Sequence, residues 1–185
     1  MEITTPKHVL RKNLRTLSRE VLTDDMRSRG ARNICEQLLA DPHFARAQSV
    51  GLYAALHDEP SLDHILLNMH SDKKFFLPRV EGPECINFYP FEGVDMLSRS
   101  SSFGIQEPTA GISETVDPMS LDLIVVPALA YDSYGYRLGR GKGYYDRYLA
   151  LTDAYRIGVT FGLQKIASLP VDPWDKKMHI VYYAF

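Results

Sequence analysis

Residues 122–132 have the sequence DLIVVPALAYD, the most continuously apolar stretch of the chain. A short apolar run bounded by polar residues is typical of a strand that is buried on both faces, as in a parallel sheet. Further strands are predicted at 49–56, 74–80, 85–91, 156–161 and 179–185, and a helix at 61–70. Apolar strands that alternate with helices predict an α/β fold with a mostly parallel sheet covered on both faces.

Two helices are predicted ahead of the first strand. Thr5 and Pro6 fit an N-cap and a first helical position, and the helix that follows has one apolar face and a strongly basic remainder. A second helix is predicted from Thr23 to about Ala40, ended by Asp41–Pro42. The polar segment 98–118 is predicted to be an irregular crossover.

Length and composition limit the class of protein. The 185 residues fit one domain, 1–185, and 21 Lys and Arg against 23 Asp and Glu give a net charge of −2. This balance lacks the basic excess of a general nucleic-acid binder, so any anion site must be local. We expect a monomer with no nucleic-acid partner.

The apolar segments and cysteines indicate a compartment. The longest apolar stretch is interrupted by Pro127 and is too short to span a bilayer, so no membrane partner is expected. The N-terminus reaches charged residues without an apolar segment before them, so no secretory signal is expected, and two cysteines cannot form a disulfide framework. A cytoplasmic location is therefore expected, although an organelle-targeting segment removed by processing would leave no trace in this sequence.

The most informative segment is glycine-rich. Residues 135–149 have the sequence GYRLGRGKGYYDRYL, with four glycines and four cations within thirteen residues. Glycines allow backbone N–H groups to close on an anion, and a helix starting near Tyr144 would direct its N-terminus to the same place. In α/β sheets such loops follow the carboxyl ends of strands and form the ligand crevice. The sequence therefore predicts a phosphate site, with a flexible basic turn as the structural alternative.

The segment differs from two common phosphate-binding motifs. A Walker A loop would need glycine at Tyr136, and Ser or Thr in place of Gly143 to hold magnesium. A dinucleotide-binding fingerprint would begin at Gly139 and Gly141 but would need its third glycine at Tyr144. Neither motif is present.

Residues 126–149 closely resemble the 5-formyltetrahydrofolate cyclo-ligase family, also called 5,10-methenyltetrahydrofolate synthetase, whose hallmark RLGxGxGYYD is complete at 137–146. Further family features occur in order along nearly the whole chain: KxxxR at Lys7 and Arg11, an acidic turn at Asp58–Glu59, LPR at 77–79, GIxEP at 104–108, Gln164 and LPVxxWD at 169–175. The resemblance implies a three-layer α/β/α fold similar to the ribose-phosphate isomerase and CoA-transferase scaffolds.

The resemblance also implies a reaction, its partners and its cofactors. In this family 5-formyltetrahydrofolate and ATP, with Mg²⁺, give 5,10-methenyltetrahydrofolate, ADP and phosphate. The formyl oxygen attacks the γ-phosphate, and N10 then closes the ring as phosphate leaves. Phosphorylation makes the formyl oxygen a feasible leaving group, so the enzyme mainly positions groups and neutralises charge.

The resemblance assigns roles to individual residues. ATP contacts are expected from Lys7, Arg11, Arg137, Leu138, Gly139, Arg140, Gly141, Lys142, Gly143, Tyr144 and Tyr145. Folate contacts are expected from Ala54, Glu59, Arg140, Lys142 and Tyr144, of which the last three are the expected catalytic residues. Asp146 and Asp175 are the expected magnesium ligands, a role that suits carboxylate oxygens.

Each assignment has a structural alternative. Lys7 and Arg11 fit a solvated basic helix face, and Asp146 fits a first-turn carboxylate. Pro60 and Ser61 depart from the family pattern beside Glu59, which leaves the details of that turn open. The roles of Arg79, Glu107, Gln164 and Trp174 stay undivided between fold support and ligand contact.

Two other functions would also use a glycine-rich anion loop: a sugar-phosphate isomerase-like enzyme on a related scaffold and a non-catalytic nucleotide-binding module. The complete RLGRGKGYYD and the basic N-terminal helix favour the cyclo-ligase over both. A single-phosphate sugar would need neither so many cations nor the pair Asp146 and Asp175.

Overall fold

The fold is built on a six-stranded sheet with the order β10-β9-β6-β1-β2-β3. The computed structural model describes residues 5–68, 73–98, 106–109 and 114–185. The strands are β1 (Ser49–Gly51), β2 (Lys74–Val80), β3 (Ile86–Pro90), β4 (Leu97–Ser98), β5 (Glu107–Pro108), β6 (Leu123–Pro127), β7 (Ala130–Tyr131), β8 (Arg137–Leu138), β9 (Tyr155–Thr160) and β10 (Ile180–Tyr183). Strands β4 and β5 form one small antiparallel pair, and β7 and β8 form another.

The six-stranded sheet is parallel except at one edge. Strand β6 pairs in parallel with β1 on one side, where Val50 lies opposite Leu123, and with β9 on the other, where Ile157 lies opposite Val125. Strand β3 is antiparallel to β2 and forms the edge. The predicted α/β class with a mostly parallel sheet is confirmed.

The helices are α1 (Lys7–Val21), α2 (Asp24–Ala40), α3 (Pro42–Arg46), α4 (Asp63–Asn68) and α5 (Tyr144–Tyr148). The Thr23 hydroxyl accepts the Met26 N–H and caps α2 as predicted. One boundary differs from prediction, since the N-cap of α1 is Pro6 instead of Thr5. Helix α2 ends at Ala40 as predicted, and the Asp41 carboxylate caps α3, a short helix that the sequence did not predict.

Apolar residues on both faces of the sheet pack against separate layers. Along β6, Leu123 and Val125 join the core under α2, α3 and α4, whereas Ile124 and Val126 join the core under α5. All four side chains are fully buried, because side chains of a strand alternate between faces and both faces are covered. None of the helices in the described part of the chain is long and apolar enough to cross a membrane.

The chain reverses its direction of travel across the sheet between β1 and β6. From β1 it continues to β2 on one side, and from β6 it continues to β9 on the other. The carboxyl ends of β1 and β6 therefore lie side by side at a topological switch point, where open α/β sheets bind ligands.

Two predicted strands were too long. Strand β1 ends at Gly51 instead of residue 56, and the apolar run 122–132 divides into β6 and a hairpin that starts at Ala130. The final residues of the predicted helix 61–70, most of the predicted irregular segment 98–118 and the start of the 104–108 motif lie outside the described residues.

Candidate functional site

A cavity of about 380 Å³ opens at the carboxyl ends of β1, β2 and β6. Ligand sites are commonly concave pockets of about 300–1,000 Å³. All of the predicted site residues except Leu138 line this cavity: Lys7, Arg11, Ala54, Glu59, Arg137, Gly139, Arg140, Gly141, Lys142, Gly143, Tyr144, Tyr145, Asp146 and Asp175. Leu138 instead packs, fully buried, with Leu14 of α1 behind the cavity.

A buried aspartate holds the turn that leads into the glycine-rich loop. Asp132 is 1% exposed, and its Oδ1 accepts the N–H groups of Tyr134 and Tyr136 at 3.0 and 2.9 Å. Its Oδ2 accepts the Leu169 N–H at 3.0 Å, which joins this turn to the segment before Asp175. Sequence reasoning missed Asp132, although an aspartate two residues before a Tyr-Gly turn is a common turn signal.

The loop itself requires glycine at two positions. Gly141 and Gly143 have φ angles of +99° and +69°, in the left-handed region that other residues rarely adopt. A Cβ on Gly143 would also lie 2.7 Å from Nη1 of Arg147. The predicted helix start at Tyr144 is confirmed, but α5 has only five residues, so its dipole adds little to the positive charge of the loop.

Helix α1 folds over the loop and binds it through basic side chains. Arg11 Nε donates to the Gly139 carbonyl at 2.8 Å, and Arg15 Nη2 donates to the Arg140 carbonyl at 3.4 Å. Lys7 Nζ lies 2.6 Å from Oδ2 of Asp175 and 2.7 Å from Oδ2 of Asp172. Partial burial opposes the charge of Lys7, but the hydrogen bonds to the two aspartates and their negative charges together raise the pKa of Lys7. The basic face of α1 is therefore turned to the cavity.

Arg140 joins the loop to the acidic turn after β1. Its guanidinium contacts Oδ1 of Asp58 and donates from Nε to Oε1 of Glu59 at 3.1 Å. The other Glu59 oxygen accepts the Leu56 N–H at 3.1 Å. Burial raises the pKa of Glu59 even though Arg140 acts in the opposite direction. Both carboxylate oxygens of Glu59 are thus already engaged within the protein.

The two predicted metal ligands line the same cavity and are each paired with a cation. Arg137 Nη2 donates to Oδ1 of Asp146 at 2.7 Å, and Lys7 contacts Oδ2 of Asp175. In the described part of the chain, no cluster of three or more His, Cys, Asp or Glu side chains has the arrangement of a metal site. Two carboxylates fit Mg²⁺, which usually takes one or two from the protein and completes its shell with water and substrate phosphate.

Lys142 differs from the other cations of the site. Arg11, Arg137, Arg140 and Lys7 are all hydrogen-bonded to protein acceptors. Lys142 is exposed and lines the cavity, and among the residues that the structure describes no carboxylate lies within 4 Å of its ammonium group. This charge is available to an incoming anion.

We call the part of the cavity that is lined by cations the cationic end: Lys7, Arg11, Arg137, Arg140 and Lys142. A further part, the apolar end, has walls from the ends of three strands and the turn after β1: Tyr53, Pro78, Val80, Ile86, Pro127 and Ala128. Tyr144 lines the cavity and its hydroxyl donates to the Gly82 carbonyl at 3.2 Å, which fixes the ring against the β2–β3 turn. Sequence reasoning missed these walls because each strand contributes only one or two residues and no local motif joins them.

The structure divides Arg79, Glu107, Gln164 and Trp174, whose roles the sequence left open, into residues that line the cavity and residues that do not. Glu107 and Trp174 line the cavity, whereas Arg79 and Gln164 do not. Arg79 pairs with Glu81 at 2.6 Å and stacks on the Tyr89 ring, so its role is in the fold. Asp172, which sequence reasoning had not singled out, lines the cavity beside Asp175, and their spacing on one turn was the available signal.

The family model of the 5-formyltetrahydrofolate cyclo-ligases matches residues 3–184. The chain belongs to this family. The named relatives are ligases, so the chain is an enzyme and the non-catalytic alternative is wrong. The same family match also argues against the sugar-phosphate isomerase-like alternative.

Individual relatives agree with this placement. A 5-formyltetrahydrofolate cyclo-ligase of Mus musculus is 28% identical over 187 residues, which cover 94% of this chain and 89% of that protein. The solved structure of the Aquifex aeolicus 5,10-methenyltetrahydrofolate synthetase is 35% identical, with a TM-score of 0.81 over 96% of this chain and 89% of the other. A Mycoplasma pneumoniae synthetase, 24% identical with a TM-score of 0.73, covers 96% of this chain and 98% of that one and shares the fold.

Trp174 allows the location of the site to be tested. It is the single tryptophan of the chain, is 65% exposed and lines the cavity. We predict that a ligand in the cavity will cover the indole and reduce collisional quenching of its fluorescence by acrylamide. ATP and 5-formyltetrahydrofolate are titrated separately, with inorganic tripolyphosphate as the control that lacks a ring. Quenching that stays unchanged at saturating concentrations of both ligands would contradict this location.

Proposed function

We propose that this enzyme converts 5-formyltetrahydrofolate into 5,10-methenyltetrahydrofolate, with ATP as the phosphoryl donor and Mg²⁺ as the metal. The observation that carries the proposal is one cavity with a cationic end and an apolar end. A polyphosphate suits the first end and a flat pterin suits the second. The alternative ligands, single-phosphate sugars, have no need of an apolar end.

The proposed reaction has two steps. In the first, the formyl oxygen attacks the γ-phosphorus and the bond to the ADP oxygen breaks, which leaves a phosphorylated iminium group on N5. In the second, the N10 lone pair attacks the formyl carbon, the carbon–oxygen bond breaks and inorganic phosphate leaves. N10 loses its proton, and the product carries one positive charge shared by N5 and N10.

The residues at the cationic end support the first step. The transferring phosphoryl group and the phosphates behind it carry negative charge that must be offset in a site with little water. Among the residues that the structure describes, no carboxylate lies within 4 Å of the Lys142 ammonium group. The glycines on either side of Lys142 bring the backbone close to the guanidinium groups of Arg11 and Arg147, which adds positive charge around the loop. We assign Lys142 to the phosphates, with Lys7 and Arg11 closing over them from α1.

The residues at the cationic end also support the metal assignment. Asp146 would hold Mg²⁺ through the oxygen that Arg137 does not contact, and Asp175 would hold it after rearrangement of its ion pair with Lys7. When bound, the ion would neutralise phosphate charge and orient the terminal phosphate. Arg137 would keep the Asp146 carboxylate directed at the cavity.

The direct test is conversion of substrate. We expect the purified protein, given 5-formyltetrahydrofolate and MgATP, to produce the near-ultraviolet absorption band of the methenyl product. An ATP analogue whose γ-phosphate cannot be transferred is the control and should give no band. Absence of the band with intact folate and ATP would overturn the proposal, and a band with the analogue would overturn the phosphorylation step.

We predict that Lys142→Ala weakens ATP binding and turnover together. Charge-assisted hydrogen bonds contribute about 1.5–3 kcal/mol, which corresponds to a rise of roughly tenfold to 100-fold in the KM for ATP. Steady-state kinetics with varied ATP measure the change. Lys165→Ala is the matched control, because Lys165 is exposed and does not line the cavity. An unaltered affinity of Lys142→Ala for ATP would remove Lys142 from the phosphate site.

We predict that Asp146→Asn raises the magnesium concentration needed for half-maximal activity by about tenfold or more, since loss of a ligand should cost at least as much as loss of an outer-shell partner. The asparagine oxygen can still accept from Arg137, so the fold should persist. Magnesium titrations at constant free ATP measure the effect. Asp153→Asn, at an exposed position outside the cavity, is the control. An identical metal titration for Asp146→Asn and the parent protein would contradict the assignment.

A further inference from the structure

Two glutamates line the cavity, and their surroundings differ. Glu59 has both oxygens engaged, with Arg140 and with the Leu56 N–H. Glu107 lies among the apolar walls and is 5% exposed, yet its one hydrogen bond within the described residues is a long one, from the Val80 N–H to Oε1 at 3.3 Å. Of these two glutamates, Glu107 is therefore the one with unused capacity to accept hydrogen bonds.

The fold holds Glu107 firmly in this position. Strand β5, which contains it, is pinned beside β2 by the Val80 contact and by Arg79, whose Nη1 donates to the Thr109 carbonyl at 2.9 Å. Arg79 itself pairs with Glu81 at 2.6 Å. Among residues 5–68, 73–98, 106–109 and 114–185, no cation lies within 4 Å of the Glu107 carboxylate. The charge of the Glu107 carboxylate is therefore not paired with a cation in this part of the chain.

A buried carboxylate without a cation is unfavourable until donors reach it. Burial raises the pKa of Glu107, and neither the Val80 N–H nor the more distant Arg79 charge is sufficient to reverse this. Buried polar groups that lack partners cost free energy, and a ligand that supplies N–H donors removes that cost. Because Glu107 lines the cavity, a substrate bound there could supply these N–H donors.

We propose that Glu107 recognises the pterin by accepting hydrogen bonds from its ring N3–H and its exocyclic 2-amino group. This inference rests on the proposed function and specifies the folate half of the same site. The two N–H donors are adjacent and coplanar on the pyrimidine edge, and a carboxylate presents two oxygens at a matching spacing. The apolar walls beside Glu107 would cover the flat faces of the pterin ring. The carboxylate would determine the orientation of the ring, with its pyrimidine edge toward Glu107.

The other carboxylates of the cavity are less suited to this role. Glu59 binds Arg140, and Asp146 binds Arg137. Asp172 and Asp175 share Lys7 at the cationic end. Each of these groups would have to release a cation before both of its oxygens could accept from a pterin, whereas Glu107 would not.

Glu107→Gln tests the proposal with little change of shape. The amide replaces one acceptor with an NH₂ donor, which opposes the donors of the pterin. We expect the KM for 5-formyltetrahydrofolate to rise roughly tenfold to 100-fold, while the KM for ATP changes by less than about twofold. Glu92→Gln, an exposed glutamate outside the cavity, is the matched control and should behave as the parent protein.

A substrate analogue supplies the second arm. In 5-formyltetrahydrofolate whose 2-amino group is replaced by methyl, one of the two donors is missing. The parent protein should bind this analogue roughly tenfold or more weakly than the substrate, and Glu107→Gln should bind the two with nearly equal affinity. Because the parent protein alone gives the first comparison, a poorly folded variant does not prevent the test.

The outcomes separate this inference from the proposed function. A parent protein that makes no methenyl product refutes the proposed function itself. A parent protein that makes the product but binds substrate and analogue equally refutes only the role of Glu107. The same conclusion follows if Glu107→Gln keeps the parent KM for folate, or if it discriminates against the analogue as strongly as the parent does.

Discussion

The docking of α1 on the glycine-rich loop brings distant parts of the chain to one cavity. Arg11 donates to the Gly139 carbonyl at 2.8 Å, and Lys7 reaches Asp175 at 2.6 Å, so the two ends of the chain meet across the loop. These contacts replace water at the loop carbonyls and determine where the neighbouring cations point. The placement of Lys7 and Arg11 beside the loop and Asp175 therefore depends on α1.

The same docking concentrates positive charge in a small volume. Burial lowers the pKa of Arg11, and the nearby charges of Arg15 and Arg137 lower it further, while Asp175 and Asp146 offset only part of this repulsion. In the proposed function a bound polyphosphate would offset more of it, so anion binding and α1 docking would stabilise each other. This coupling would give the basic face of α1 a function that a solvated helix face does not have.

Local signals in the sequence predicted the central strands and the glycine-rich loop, but not the features that depend on distant contacts. Strand β2 has the predicted bounds, because a run of apolar and aromatic residues between polar segments is a local property. Strand β1 stops at Gly51 because the chain then leaves the sheet and forms the turn that places Ala54 and Glu59 in the cavity wall. The apolar end of the cavity has no motif in the sequence, since it is assembled from strands that meet only in the fold. The position of Glu107 beside these walls could not be predicted for the same reason.

The contacts of Arg140 with the Asp58–Glu59 turn connect the cationic end of the cavity to the apolar end. Arg140 belongs to the loop, whereas the turn follows β1 and continues from Tyr53 and Ala54, which line the cavity. In the proposed reaction the formyl oxygen is carried by the pterin and the phosphoryl group by the loop, and reacting atoms must approach to about 3–3.5 Å. In that reaction the bridge from Arg140 to the turn would help to set this separation before either substrate binds. Buried ion pairs are often no more stabilising than apolar contacts of similar size. The need for a defined distance would therefore explain this ion pair better than its contribution to stability.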